Sequence, residues 1–78
     1  FDELVFSYEQ IEHVALVTAV GSGLGEDMAT NTSVRRAILD GGVDIFRHGS
    51  EGDVSWWDVE RDAVQKVVNL AHRLLNSQ

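Results

Sequence analysis

Cysteine is absent from the 78-residue sequence, which removes disulfides and thiolate metal sites as sources of stability. A chain this short is one domain at most, buries a modest fraction of its surface, and keeps a small net surplus over chain entropy. Association with a partner is therefore an early expectation. Basic residues are scarce: 6 Lys and Arg stand against 13 Asp and Glu, a net charge of -7. A phosphate backbone is repelled by that balance, and no basic stripe with interleaved aromatics offsets it, so no nucleic-acid partner is expected. Anionic membrane surfaces are disfavoured for the same reason. Long apolar runs are also missing, well short of the ~20 residues of a membrane span, so no membrane association is expected. Phe1-Asp2-Glu3-Leu4 lacks the basic start and apolar core of a signal peptide, which leads to the expectation of a cytoplasmic protein. The first residue is not Met, as expected of a piece excised from a longer protein. What is present is an ordinary globular share of hydrophobic residues, 44%, which argues against disorder.

The order of elements reads as follows. Leu4-Val5-Phe6-Ser7-Tyr8 is short and β-prone, a first strand, and residues 9–12 link it to a second over residues 13–20. Val14, Leu16, Thr18 and Val20 share one face of that second strand, Ala15, Val17 and Ala19 the other, so both faces are nearly apolar and the strand is expected to be central. Gly21-Ser22-Gly23-Leu24-Gly25 is a loop. A helix follows, with Asp27, Asn31 and Thr32 as candidate N-caps. Val34, Ala37 and Ile38 form its core face, and Gly41-Gly42 its end. Residues 43–47 are predicted as a third strand, residues 48–53 as a Gly/Ser turn, and residues 54–59 as a fourth strand completing a hairpin. Glu60 or Asp62 opens the clearest helix, whose apolar stripe is Ala63, Val64, Val67, Val68, Ala71, Leu74 and Leu75. His72 and Arg73 lie in its last turn, where positive charge suits the helix dipole.

This β-β-α-β-β-α order contains the β-α-β-β-α heart of a ferredoxin-like sandwich, an α+β fold with two helices packed on an antiparallel sheet. That fold normally closes with a strand beside the first. Here the chain ends at a helix and an extra strand precedes, free to fill the vacant edge or to pair with another subunit.

Candidate chemistry is sparse. The glycine loop lies between strand and helix, a context suited to anion capture by exposed N–H groups. It matches neither the Walker pattern nor the dinucleotide fingerprint, and Glu26 and Asp27 repel phosphate, so a structural turn, with room to hold a ligand as well, is expected. His13, His48 and His72 are scattered without metal-ligand spacing, and His48, though within reach of Glu51 or Asp53, reads as a solvated turn residue. No metal and no cofactor are expected. No paired carboxylates and no Ser/His/Asp set stand out, so no catalytic residue is assigned. Ser55 reads as a sheet residue. Trp56-Trp57 puts one indole on each face of the sheet, one in the core and one available to a partner.

Particular residues then resemble the C-terminal ACT domain of aspartate kinases. Val14-Ala15-Leu16-Val17-Thr18-Ala19-Val20-Gly21-Ser22-Gly23-Leu24 is similar to that family's opening strand and Gly-x-Gly-Met loop. Gly42-Val43-Asp44-Ile45 looks like its Gly-Val/Ile-Asn-Ile, and Ser50-Glu51-Gly52-Asp53-Val54-Ser55-Trp56 like its Ser-Glu-x-Asn-Ile-Ser-Phe hairpin. Residues 62–72, Asp62-Ala63-Val64-Gln65-Lys66-Val67-Val68-Asn69-Leu70-Ala71-His72, resemble its last helix, Asp-Ala-x-x-Ala-Val-x-x-Leu-His. The spacings run without gaps from Val14 to about Leu75, and Leu4 to Gln10 resembles the strand joining two ACT domains. The chain departs from the family in Met28-Ala29 where Pro-Gly is usual, in Arg35 where a core Phe is usual, and in Asp44 for Asn.

The resemblance implies residues 1–12 as a leading strand and linker and residues 13–78 as an ACT-like regulatory domain. It would be non-catalytic by itself and sense an aspartate-family amino acid (lysine, threonine or methionine) for a kinase whose active site lies elsewhere. It also implies pairing with a second ACT domain or in a homodimer. The effector carboxylate would meet the helix N-terminus at Gly23, Leu24, Met28, Ala29 and Thr30, and the ammonium would meet Asp44, with Glu26 a second acceptor. Two other classes stay open. One is an ACT-like assembly module that binds no small molecule. The other is an acylphosphatase-like hydrolase, which wants an Arg in the anion loop where this chain has acidic residues.

Overall fold

The computed structural model of the chain describes residues 1 and 3–77; residues 2 and 78, at the ends of the two predicted segments, lie outside the described residues. Four strands, β1 (Val5–Ile11), β2 (Val14–Val20), β3 (Arg47–Glu51) and β4 (Val54–Glu60), and two helices, α1 (Met28–Asp40) and α2 (Val64–Asn76), form an α+β sandwich. The sheet is antiparallel in the order β1-β2-β4-β3, so β4 lies between β2 and β3, the split arrangement of a ferredoxin-like core. β1 occupies the edge beside β2 where that fold carries its closing strand. The edge left vacant by the element order is thus filled within the chain.

Alternation along the strands decides which face is covered. Ala15, Val17 and Ala19 of β2 pair with Val59, Trp57 and Ser55 of β4, and all six are buried. The five apolar ones form one core with Val34 and Ile38 of α1 and Val67, Ala71 and Leu75 of α2, so both helices cover this one face. Each fully buried Val, Leu or Ile here contributes about 1.5–3 kcal/mol. The predicted stripe of α2 is the one buried: Val64, Val67, Ala71 and Leu75 fully, Ala63, Val68 and Leu74 at its margins. Of the two tryptophans, Trp57 is in the core and Trp56 is half-buried on the opposite face.

Several predicted boundaries move, each for a local reason. The first strand continues through Ile11, and the turn is only Glu12-His13, because Ile11 pairs with Val14 in unbroken register. Residues 9–11 are therefore strand, not linker, and β1 pairs with β2 along its whole length.

Residues 43–46 are not a strand. Gly42 is left-handed (φ 86°), Gly42 N–H donates to Leu39 O at 3.0 Å, and Val43 N–H donates to Ile38 O at 3.3 Å. Those two bonds form a Schellman motif, completed by the buried side chains of Ile38 and Val43. Val43 is committed to closing α1, so β3 begins only at Arg47. Its hairpin turn shrinks from residues 48–53 to Gly52-Asp53, with Glu51 opposite Val54 and Gly52 at φ 58°, a position where glycine has no steric penalty.

At the far end of β4, Arg61 N–H donates to His13 O at 3.0 Å. A single 3-10 turn, Arg61–Ala63, then precedes α2, which starts at Val64 and not at Glu60 or Asp62. Among the described residues no helix is long and apolar enough to cross a membrane.

Candidate functional site

The loop after β2 is where sequence reasoning places ligand chemistry, and its polar groups are largely engaged by the chain itself. Gly21 N–H donates to Asp53 O at 2.9 Å, and Gly23 N–H donates to the Asp53 carboxylate at 2.8 Å. These bonds lash the loop to the β3–β4 turn. Leu24 N–H donates to Gly21 O at 2.9 Å and Glu26 N–H to Gly23 O at 3.2 Å, winding residues 24–26 into a 3-10 turn. Gly25 presses on the hairpin so closely that a Cβ there would lie 2.5 Å from Glu51 O. Only glycine allows that approach.

The start of α1 is capped by Asp27, as one of the three candidate caps anticipated. Its carboxylate accepts from Thr30 N–H at 3.0 Å. That backbone bond, with a second from the Thr30 side chain, holds the Asp27 carboxyl below the ordinary aspartate range, against a small opposing effect of burial. The stabilised form is the anion at a helix N-terminus, where the dipole also favours negative charge.

Behind the cap lies a buried polar cluster. Asn31 is 2% exposed and Ser55 fully buried. The Asn31 amide donates to Leu24 O at 2.7 Å and to Asp27 O at 2.9 Å, and the Ser55 hydroxyl donates to Asn31 Oδ1. One side chain thereby fastens the loop, the helix start and the central strand β4. From the sequence, Asn31 reads as a candidate cap and Ser55 as a plain sheet residue. A signal was available: Asn31 shares the face of Val34 and Ile38, and Ser55 that of Trp57 and Val59. A polar residue on a core face needs a buried partner.

The seven predicted effector residues fall into two groups. Gly23, Leu24, Glu26, Met28, Ala29 and Thr30 cluster at the β3–β4 turn end of the sheet. Leu24 and Thr30 are buried and Met28 is exposed; Glu26 and Ala29 are also exposed. The N–H groups of Gly23, Leu24 and Thr30 are already bonded within the chain. Asp44 is exposed and lies at the other end. It follows the C-terminus of α1 and precedes β3, whose first residue, Arg47, pairs with Asp58 while its last, Glu51, pairs with Val54. The length of β3 alone separates the groups by about 15 Å, so one copy of the chain does not bring Asp44 to the loop.

Outside the loop, Arg47 Nε donates to Asp58 at 2.7 Å, and its guanidinium carbon lies 6.0 Å from the Trp56 ring centroid. Among the described residues, no three His, Asp or Glu side chains are grouped so as to hold a metal ion. A scan against protein-family models finds no match for this chain, and a comparison with curated proteins finds none either.

Proposed function

We propose that this chain is a non-catalytic regulatory domain of the ACT type, the amino-acid-sensing part of a cytoplasmic aspartate kinase, and that it works as a side-by-side pair. One observation carries the reading. The two halves of the candidate effector site sit at opposite ends of edge strand β3, and β3 is self-complementary in charge. In an antiparallel pairing of two β3 strands about Gly49, Arg47 of one copy stands opposite Glu51 of the other, twice over. Opposite charges directly across an antiparallel pair favour that register. The same pairing carries Asp44 of one copy toward the loop of the other. A helix N-terminus for a carboxylate and an aspartate for an ammonium then face one gap, the chemistry an α-amino acid requires.

A second reading has its own support. Because the Gly23, Leu24 and Thr30 N–H groups are satisfied internally, the pair could serve assembly alone and bind no small molecule.

Calorimetry with lysine, threonine and methionine, run beside sedimentation equilibrium, separates these readings. A sensor shows a dimer that Glu51→Lys weakens, and binding that Asp44→Ala weakens by about 1.5–3 kcal/mol, the range for a hydrogen bond to a charged group. A Glu51→Lys-sensitive dimer with no binding heat leaves the assembly module. A monomer at high concentration rejects both.

A further inference from the structure

The helices cover only one face of the sheet, and the register defines what the other presents. Its cross-strand rows are Val5, Val20, Val54 and Glu51; then Ser7, Thr18, Trp56 and Gly49; then Glu9, Leu16, Asp58 and Arg47; then Ile11, Val14 and Glu60. Seven of these side chains are apolar. Val5 and Ile11 are each 57% exposed and Val20 is 38% exposed, while Val14, Leu16, Val54 and Trp56 are half-buried. Gly49 makes the centre flat, because the Trp56 indole lies where a Cβ would stand, its Nε1 only 2.7 Å from that point. The charged members are Glu9, Glu51, Asp58 and Glu60 against Arg47, a net of three negative charges. At the Glu60 end a surface depression of about 460 Å³ is lined by His13, Val14, Phe46, Glu60, Arg61 and Asp62, and Phe46 there is 51% exposed.

Area and charge decide the occupant. Four strands about 4.8 Å apart and seven residues long give a face on the order of 400 Å². Two copies stacked on it would oppose two acidic surfaces. A single helix about 10 Å wide and some 15 residues long matches the length of the strands. We infer that the open sheet face is a docking surface for a basic amphipathic helix. Its apolar ridge lies along Val5, Val20, Leu16, Val14 and Trp56. Its Lys or Arg residues meet Glu9 and Glu60, the latter at the rim of the depression beside Phe46 and Asp62.

Pairing along β3 is edge to edge and leaves this face open, so the inference does not depend on the function proposed above. The test uses the whole chain labelled with ¹⁵N and two 15-residue peptides of one helical amphipathic pattern, one of Leu and Lys, the other of Leu and Glu. The Leu/Lys peptide is expected to bind, shifting amides of β1, β2 and β4 and moving Trp56 fluorescence to the blue. Glu9→Lys and Glu60→Lys, both at exposed positions, are each expected to weaken it several-fold, and Leu16→Lys at least tenfold. Leu39→Lys, on the exposed side of α1, is expected to leave affinity within twofold. Equal binding of the Leu/Glu peptide, shifts centred on α1 and α2, or indifference to Glu9→Lys and Glu60→Lys overturns the inference. So does concentration-dependent self-association through this face, or binding of zwitterionic lipid vesicles in preference to the peptide.

Discussion

Replacing Asn31 by alanine removes the side chain that ties three elements together, and its cost can be worked from the bonds. Two amide donations, to Leu24 O and Asp27 O, are lost at about 0.5–1.5 kcal/mol each. The Ser55 hydroxyl, fully buried and donating to Asn31 Oδ1, is left without its acceptor at a further cost of about 1–3 kcal/mol. The sum is about 2–6 kcal/mol, against a total stability of about 4–12 kcal/mol for a chain of this size. Ser55→Ala alone is expected to cost about 1–2 kcal/mol, because it leaves Asn31 Oδ1 buried without its donor. In the double variant the orphaned groups vanish together, so the combined loss falls short of the sum by about 1 kcal/mol or more. Urea unfolding followed by tryptophan fluorescence and far-ultraviolet circular dichroism measures all four corners of the cycle, with an unchanged m-value marking a pure stability effect. An Asn31→Ala loss below about 1 kcal/mol, or additivity within about 0.5 kcal/mol, would refute the account of Asn31 as the buried clasp of the loop.

Three further outcomes follow from local geometry. Gly25→Ala places a Cβ 2.5 Å from a backbone oxygen of the hairpin and should cost about 2–4 kcal/mol; Gly23→Ala, strained only by its left-handed φ of 75° with open space around it, should cost about 1 kcal/mol. Thermal melts that rank the two equally would contradict the close-approach argument. Glu12, at φ 58° in the β1–β2 turn, should tolerate Asn within about 0.5 kcal/mol but lose about 1–2 kcal/mol as Val, since β-branched residues resist that conformation. Because the folded state holds the Asp27 carboxyl below its unfolded value, its contribution is full above the ordinary aspartate range and is lost as the pH falls through the lowered folded value. Asp27→Asn, which keeps a capping oxygen, should flatten that acid limb in a pH series of melting temperatures, and an unchanged limb would rule the cap out as its source.

Much of this fold is legible in local pattern because it rests on strong periodicity. The 3.6-residue stripe of α2 admits one burial and the structure has it; the two apolar faces of β2 place it inside the sheet, as found, but only the Ala15, Val17 and Ala19 face is covered by the helices. The glycine pair after α1 is read directly, since it answers a backbone requirement settled within a few residues, whereas the structure selects Asp27 from three candidate caps. The third strand is misplaced by four residues because Val43 suits a strand and a Schellman motif equally, and only its contact with Ile38 under α1 decides between them. The fate of the leading strand is likewise undetermined by its own residues: Val5 to Ile11 could pair in any chain, and the two-residue turn at Glu12-His13 selects its neighbour β2. The candidate site shows the same division. Its residue types are present in the sequence, but the closure of the loop by Asp53, the burial of Asn31 against Ser55, and the distance from Asp44 to the helix start arise from packing between segments far apart in the chain. Local propensity determines which groups need partners, and tertiary structure alone determines which partners are within reach.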